Sequence, residues 1–433
     1  MTATPNPVSA TLIPTSPPER ASRKAMLGLG LGNTLEWYDW MIFGLLATYI
    51  GPKFFVDRDP VSATLDALAV FAVGFVARPL GGVLLGNVAD RIGRRRVMLW
   101  SVAVMALTTL VLAFLPTYDV IGTGAGVTLL VLRVLQGLST GVEAPLSTAY
   151  AVELMPQGQE GRAAGYISFF VNLGILLASL VTFITSYLVG GQVMSEWGWR
   201  VPILFGAVMS FAVVYLRRSL PESLHESEAH ETNAGVWGGV RKHWLGLVAM
   251  IAIVGAAQAL NYAWNSGLPS LARGTYHEDP TRVFALTTML GVILLAGSLF
   301  TGRWADRIKL SRAYLIARIA AIPTTFLLLL YTGHGLGLFS VVLLGGGVVV
   351  ALNMTLYNVI ATSLMPKYCR ATGVGLGYGI AVAVFGGSAS YLVVWLNKIG
   401  AGWLFPVYVA ALCLISVVLY VLARRHSGTF AGE

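Results

Sequence analysis

Charge is what this chain has least of. Asp, Glu, Lys and Arg make up 11% of its 433 residues, about half the usual share of a soluble protein. With 56% apolar residues and a mean hydropathy of +0.72, that scarcity excludes an ordinary set of two or three water-soluble domains. Cysteine is nearly absent: Cys369 falls in a predicted loop and Cys413 in the last predicted span, so neither a disulfide nor a metal-ligand spacing is expected. The six histidines, at 225, 230, 243, 277, 334 and 426, all lie in loops or near span ends. No Gly-x-x-x-x-Gly-Lys-Ser/Thr loop is present to cradle the phosphates of a nucleotide. His-Glu-x-x-His does not occur, and the one Gly-x-Ser-x-Gly match, Gly137–Gly141, lies inside a predicted span and not at a strand-to-helix turn, so no cofactor is implied and the chain is not expected to be an enzyme. The first 22 residues are rich in Pro, Ser and Thr and carry no basic residue before Arg20. They lack the basic start and short apolar core of a signal peptide and are expected to be a disordered cytoplasmic tail.

What is present in quantity is apolar sequence. The stretches 97–118, 163–195, 243–272 and 371–397 hold no Asp, Glu, Lys or Arg, and each exceeds the roughly 20 residues a helix needs to cross a bilayer. Lipid offers backbone N–H and C=O groups no hydrogen bonds, so such runs must be helical. Twelve spans are predicted: 25–50, 64–88, 97–116, 122–152, 163–189, 200–216, 244–271, 283–303, 313–332, 336–363, 371–396 and 403–423. The expected fold class is an all-α membrane protein with 12 transmembrane helices in two pseudo-symmetric six-helix bundles. The expected domains are a tail (1–22), a first bundle (23–216), a cytoplasmic linker (217–243), a second bundle (244–423) and a C-terminal tail (424–433). The linker reads as a solvated connection, with a regulatory site as the alternative. Trp197, Trp199 and Trp403 fall at predicted interfaces.

With the N-terminus inside, 20 of the 29 Lys and Arg lie in cytoplasmic segments, six lie outside, and Arg78, Arg133 and Arg318 lie within spans. The net charge of +9 therefore sets topology against a lipid bilayer, and no nucleic acid partner is expected.

Two short patterns recur half a chain apart. Ala89-Asp90-Arg91-Ile92 returns as Ala305-Asp306-Arg307-Ile308, and Leu154-Met155-Pro156 followed by Arg162 returns as Leu364-Met365-Pro366 followed by Arg370. Two repeats at nearly one offset point to a duplicated unit of six helices.

The pattern from Gly86 through Asp90, Arg91, Gly93 and Arg94 resembles the loop signature of the major facilitator superfamily. Three further stretches resemble its metabolite:proton symporter family. These are Gly32-Asn33-Thr34-Leu35-Glu36-Trp37-Tyr38-Asp39-Trp40, Ala77-Arg78-Pro79-Leu80-Gly81, and Arg133-Val134-Leu135-Gln136-Gly137 leading to Glu143. Ser388-Ala389-Ser390 departs from that family, where a proline is common. The resemblance implies a proton-coupled symporter in a bacterial inner membrane, with both termini cytoplasmic. Its expected partners are a small-molecule substrate and protons, with no nucleotide, in a monomer. The cargo would be a small organic acid, or alternatively a zwitterion such as betaine or proline; a membrane sensor without transport is the alternative of another class.

Ionisable groups at membrane depth cost free energy unless paired or hydrated. Glu36 and Asp39 share one face of span one, while Arg133, Gln136 and Glu143 share a stripe of span four. For proton coupling the candidates are Asp39, Glu36, Arg133 and Glu143, with Asp39 as carrier and Arg133 as its partner. Arg78 is the candidate for a substrate carboxylate because a guanidinium can hold one through two parallel hydrogen bonds; pairing with Glu36 or Asp39 is the alternative. Tyr38, Gln136, Asn261, Tyr262, Trp264, Asn265, Asn353 and Tyr357 are the further substrate-binding candidates. For gating they are Gly86, Asp90, Arg91, Arg94, Glu153, Arg162, Asp306, Arg307 and Arg370, with the Asp306 latch meeting Arg370 within its own half. Arg318 is expected to snorkel to the cytoplasmic surface.

Overall fold

The computed structural model describes residues 19–55, 59–92, 94–141, 159–217, 233–331, 335–366 and 369–427. Glu143 and Glu153 lie outside them, and of Gly86, Asp90, Arg91 and Arg94 only the helical backbone is described. The first half contributes α1 (Glu19–Phe54), α2 (Pro60–Ile92), α3 (Arg94–Phe114), α4 (Gly124–Thr140), α5 (Glu160–Val193) and α6 (Arg200–Arg217). The second contributes α7 (Trp244–Gly274), α8 (Pro280–Ile308), α9 (Leu310–Leu330), α10 (Leu336–Ser363), α11 (Arg370–Ala381, continuing to Lys398) and α12 (Leu404–Ser427). Among the described residues, eight helices are long and apolar enough to cross a membrane, and three shorter apolar helices belong to α3, α4 and α6. The 36-residue α1, which carries Glu36 and Asp39, completes the twelve.

Apolar side chains point outward as well as inward. Trp100, Phe114, Tyr187, Leu188 and Phe300 are each more than half exposed. In water such a surface would drive association; in lipid it matches the solvent. Inside, close helix approach depends on missing side chains. A Cβ on Gly137 of α4 would run into the Gly74 carbonyl of α2, and one on Gly81 would run into Leu138.

The ends of α2, α8 and α12 and the starts of α5, α7 and α11 share one face, the terminal face; the Asp59 and Asp279 turns lie on the opposite face. Asp59 accepts the Val61 and Ser62 N–H groups at 3.1 Å to cap α2, and Asp279 accepts Arg282 N–H at 2.8 Å to cap α8. Each is followed by proline, at 60 and 280, a residue suited to the first turn of a helix. This Asp-Pro pair is a third repeat, and it strengthens the case for duplication.

Several expectations change. Span five does not stop at 189: Gly190 kinks α5 at φ 77°, and helical structure resumes through Gly198. Trp199 is no interfacial ring but is fully buried, packed edge-on to Phe54 with Arg200 over it at 4.6 Å. Arg318 does not snorkel. It is fully buried and donates to the Ile253 carbonyl at 2.9 Å, because its position on α9 faces α7 and not the surface. Within the linker, Asn233–Lys242 forms a helix, and residues 218–232 lie outside the described residues.

Two π-helical turns mark the second half, Ala263–Gly267 in α7 and Val382–Gly386 in α11. The α11 turn lies just before Ser388, so this helix departs from regularity without a proline. Ser390 donates to the Tyr262 carbonyl at 3.1 Å, satisfying a backbone acceptor beside the α7 turn.

Candidate functional site

α1 supplies two carboxylates at membrane depth, and each meets a different arginine. Arg78 Nη2 of α2 donates to Glu36 Oε1 at 2.7 Å. Arg133 Nη1 of α4 lies 3.7 Å from Asp39 Oδ2. All four side chains are buried, so water does little to weaken either attraction. The first contact is a direct charge-assisted hydrogen bond; the second is longer than one.

Asp39 is held from its other oxygen. Thr109 of α3 donates to Asp39 Oδ1 at 2.6 Å, and Gln136 Nε2 of α4 donates to Thr109 Oγ1 at 2.9 Å. Asp39 Oδ2 has no hydrogen-bond donor among the described residues, and neither Nε nor Nη1 of Arg133 has an acceptor. This pair is therefore tied by charge more than by geometry. Arg133 rests on Phe43 at 3.7 Å and Arg78 on Trp40 at 4.2 Å and Phe75 at 4.9 Å, faces that favour a cation.

The second half closes over this cluster with neutral polar and aromatic groups. Tyr262 stacks on Trp37 at 6.1 Å and meets Phe71 and Phe75 edge-on. Gln258 Nε2 donates to Tyr357 Oη at 3.1 Å and reaches Tyr378 Oη at 3.5 Å. Gly379 packs so closely on Pro79 that a Cβ there would lie 3.1 Å from its ring, which sets Tyr378 beside Arg78. Asn265 donates to Asn261 Oδ1 at 2.9 Å, leaving Asn261 Nδ2 and Asn265 Oδ1 without partners among the described residues.

The structure brings Glu36, Arg78, Tyr262 and Tyr357 into this region and Asp39, Arg133 and Gln136 into the adjoining one. Three candidates are engaged elsewhere. Tyr38 donates to the Pro202 carbonyl at 2.7 Å and ties α1 to α6. Trp264 donates to the Val342 carbonyl at 3.2 Å over Gly346, and Asn353 donates to the Ala317 carbonyl at 2.9 Å, tying α10 to α9. Sequence reasoning missed Thr109, Gln258 and Tyr378. Gln258 had a signal, as an amide one turn before Asn261 in a mostly apolar run; Thr109 and Tyr378 had none.

At the terminal face, Asp306 of α8 accepts the Gly161 N–H at 2.8 Å and lies 3.4 Å from Arg162 Nε. The expected partner within its own half, Arg370, instead donates to its neighbouring Met365 carbonyl at 3.0 Å. Asp306 reaches across the halves because α5 and α8 touch along Gly161, Gly165 and Gly302. On the opposite face Lys398 of α11 lies 3.0 Å from Asp59 at the start of α2, and Ser186 of α5 lies 2.8 Å from Thr281 of α8. The halves are thus joined at both faces.

Two six-helix bundles meeting over buried, paired charges define a polytopic membrane carrier rather than an enzyme. A family model of the Major Facilitator Superfamily matches residues 29–391, and the chain belongs to that superfamily. The chain is 30% identical over 409 residues to the alpha-ketoglutarate permease of Escherichia coli (strain K12), covering 93% of each. It is 30% identical over 444 residues to the ectoine/proline transporter ProP of Corynebacterium glutamicum, covering 95% of this chain and 85% of that one. It is 29% identical to the citrate-proton symporter of Salmonella typhi, covering 94% and 96%. Among solved structures it shares the fold of a D-xylose-proton symporter, with a TM-score of 0.70, 18% identity and coverage of 92% and 97%. It is a multi-pass membrane transporter, and the sequence resemblance to proton symporters holds among these relatives.

Proposed function

We propose that this protein is a proton-coupled symporter of a small organic acid, working by alternating access in a bacterial inner membrane with both termini cytoplasmic. The observation that carries the reading is the pair of buried acid–arginine contacts one helical turn apart on α1, Glu36–Arg78 and Asp39–Arg133. A substrate carboxylate that takes Arg78 displaces Glu36. A buried carboxylate deprived of its arginine binds a proton, because desolvation disfavours its charged form. Substrate and proton therefore enter together. Asp39 is the second carrier: its contact with Arg133 is long and one of its oxygens has no donor, so small movements of α4 change how well its charge is stabilised. Gln258, Tyr262, Tyr357 and Tyr378 supply neutral contacts to the substrate body. Asp306 with Arg162, and by the repeat Asp90 with Arg370, hold the terminal face closed until the loaded halves rock.

A zwitterion is the second reading. The Trp37, Phe71, Phe75 and Tyr262 rings beside Glu36 form a surface that suits a quaternary ammonium. Uptake into proteoliposomes under an imposed inward proton gradient separates the two. Mono-, di- or tricarboxylate accumulation supports the acid reading, and accumulation of betaine or proline alone overturns it.

A further inference from the structure

Another buried arginine lies outside the cluster, at a seam between the halves. Arg273 sits at the end of α7 on the face opposite the chain ends, and it is only 7% exposed. Its guanidinium donates to the Pro269 carbonyl of its own helix at 3.1 Å. It crosses to the other half to reach Thr48 Oγ1 at 2.7 Å and the Leu45 carbonyl of α1. The ring of Phe284 lies beneath it at 4.4 Å. Every one of these acceptors is neutral, and no carboxylate lies within ion-pair distance of Arg273 among the described residues. A buried cation without an anion is costly unless it serves a purpose.

The seam below it is polar and narrow. Ser270 reaches the Gly44 carbonyl at 3.5 Å. One turn further in, the Ser266 hydroxyl is fully buried, has no hydrogen-bond partner among the described residues, and faces Gly44 so closely that a Cβ there would lie 2.5 Å from it. Tyr262 and Trp37 follow, then Arg78. Two of the three acceptors of Arg273 belong to α1, so parting α1 from α7 strips the guanidinium of most of its partners. It also uncovers a line of small hydroxyl and glycine positions leading to the second arginine.

We propose that Arg273, at the α1–α7 seam on the face opposite the chain ends, is a capture site for a carboxylate anion before that anion reaches Arg78. The anion replaces the Leu45 and Thr48 oxygens that the guanidinium loses on opening, and so lies against position 48 and covers it in the open seam. The inference rests on the organic-acid reading for the identity of its ligand, but its geometry is separate from Arg78.

The test uses the full-length protein in proteoliposomes, with Cys369→Ser and Cys413→Ser and a reporter Thr48→Cys. Labelling by a membrane-impermeant maleimide reports access to position 48 in the open seam, which an anion held on Arg273 covers, with alpha-ketoglutarate, citrate and betaine as probes. The expected result is that a carboxylate slows labelling at least about threefold, that Arg273→Lys keeps part of this protection, and that Arg273→Gln abolishes it while labelling itself continues. Protection that persists in Arg273→Gln, protection by betaine alone, or no labelling in any variant would overturn the proposal. The underlying reading fails separately. If alpha-ketoglutarate and citrate protect the reporter through Arg273 but are not accumulated, the capture site stands and the acid-symport reading falls. If they are accumulated and Arg273→Gln leaves protection intact, the reverse holds.

Discussion

Arg78 and Glu36 come from neighbouring helices, α2 and α1, and meet at 2.7 Å with both side chains buried. Neither charge can lose its partner cheaply, so whatever displaces one must compensate the other. Arg78→Ala leaves an uncompensated carboxylate and is expected to destabilise the protein by about 3–5 kcal/mol, while the double variant Arg78→Ala/Glu36→Gln regains most of that loss. Thermal unfolding in detergent measures both. Glu36→Gln alone is expected to keep carboxylate binding and lose proton coupling; unchanged accumulation in a pH gradient would remove Glu36 from the mechanism.

Asp39→Asn is expected to abolish proton-driven accumulation while leaving exchange between equal substrate concentrations on the two sides. Thr109→Val removes the hydrogen bond to Asp39 Oδ1 and is expected to cost about 1 kcal/mol of stability. Comparing net uptake with exchange in the same proteoliposomes separates carrier from scaffold; normal accumulation by Asp39→Asn excludes it as carrier.

The α5–α8 seam at the terminal face has no room for a side chain. A Cβ on Gly161 would lie 2.5 Å from Asp306 Oδ1 and 2.6 Å from the Gly302 carbonyl. Gly161→Val is expected to hold the two helices apart, at a cost of about 1–3 kcal/mol to the closed seam. Asp306→Asn is expected to weaken the same seam without the clash. Both should raise labelling, from the terminal face, of a cysteine that replaces Ser298, a buried residue of α8 beside Gly165, and unchanged labelling in both would show that the seam does not gate.

Lys309 joins α8 to α9 at φ 76°, a left-handed conformation that costs a non-glycine residue about 1–2 kcal/mol. In the repeat it stands where the first half has Gly93. Lys309→Gly is expected to raise the unfolding temperature relative to Lys309→Ala, which removes the charge but keeps the strain. Equal temperatures would show that the turn is not strained.

The Asp59–Lys398 tie is expected to be insensitive to pH in the working range. Hydrogen bonds from Ser62, then from Lys398, hold the exposed Asp59 carboxyl below its ordinary value of 3.8. A depressed carboxylate contributes above 3.8 and loses that contribution only as pH falls through its lower value in the folded protein. Asp59→Asn should therefore shift transport by the same factor from about pH 5 to 8. A change in the shape of the pH profile would assign Asp59 a part in coupling.

Much of this was readable in the residues. The scarcity of charge and the length of the apolar runs required helices in lipid, and the two repeated motifs required halves. The depth of Glu36, Asp39, Arg78 and Arg133 followed from their place within runs. What failed did so for one reason: a helix position alone does not say which neighbour lies opposite. Arg318 looked free to reach the surface, yet its face of α9 is turned to α7. Trp199 looked interfacial, yet a continued helix after Gly190 carries it inward. Tyr38, Trp264 and Asn353 have the chemistry of a binding site but are engaged by the backbones of neighbouring helices in their own halves.

The sequence by itself determined the solvent, the helices, the duplication and the depth of Glu36, Asp39, Arg78 and Arg133, because each follows from local composition and spacing; it did not show that Arg273 and Arg318 are buried. Tertiary structure decided the pairing: Glu36 with Arg78, Asp39 with Arg133 and Thr109, Asp306 with Arg162 across the halves. Pairing is a property of helix contacts between residues tens to hundreds of positions apart. In a medium without water to satisfy a stranded charge, those contacts settle which groups are held in place and which are left able to bind and release.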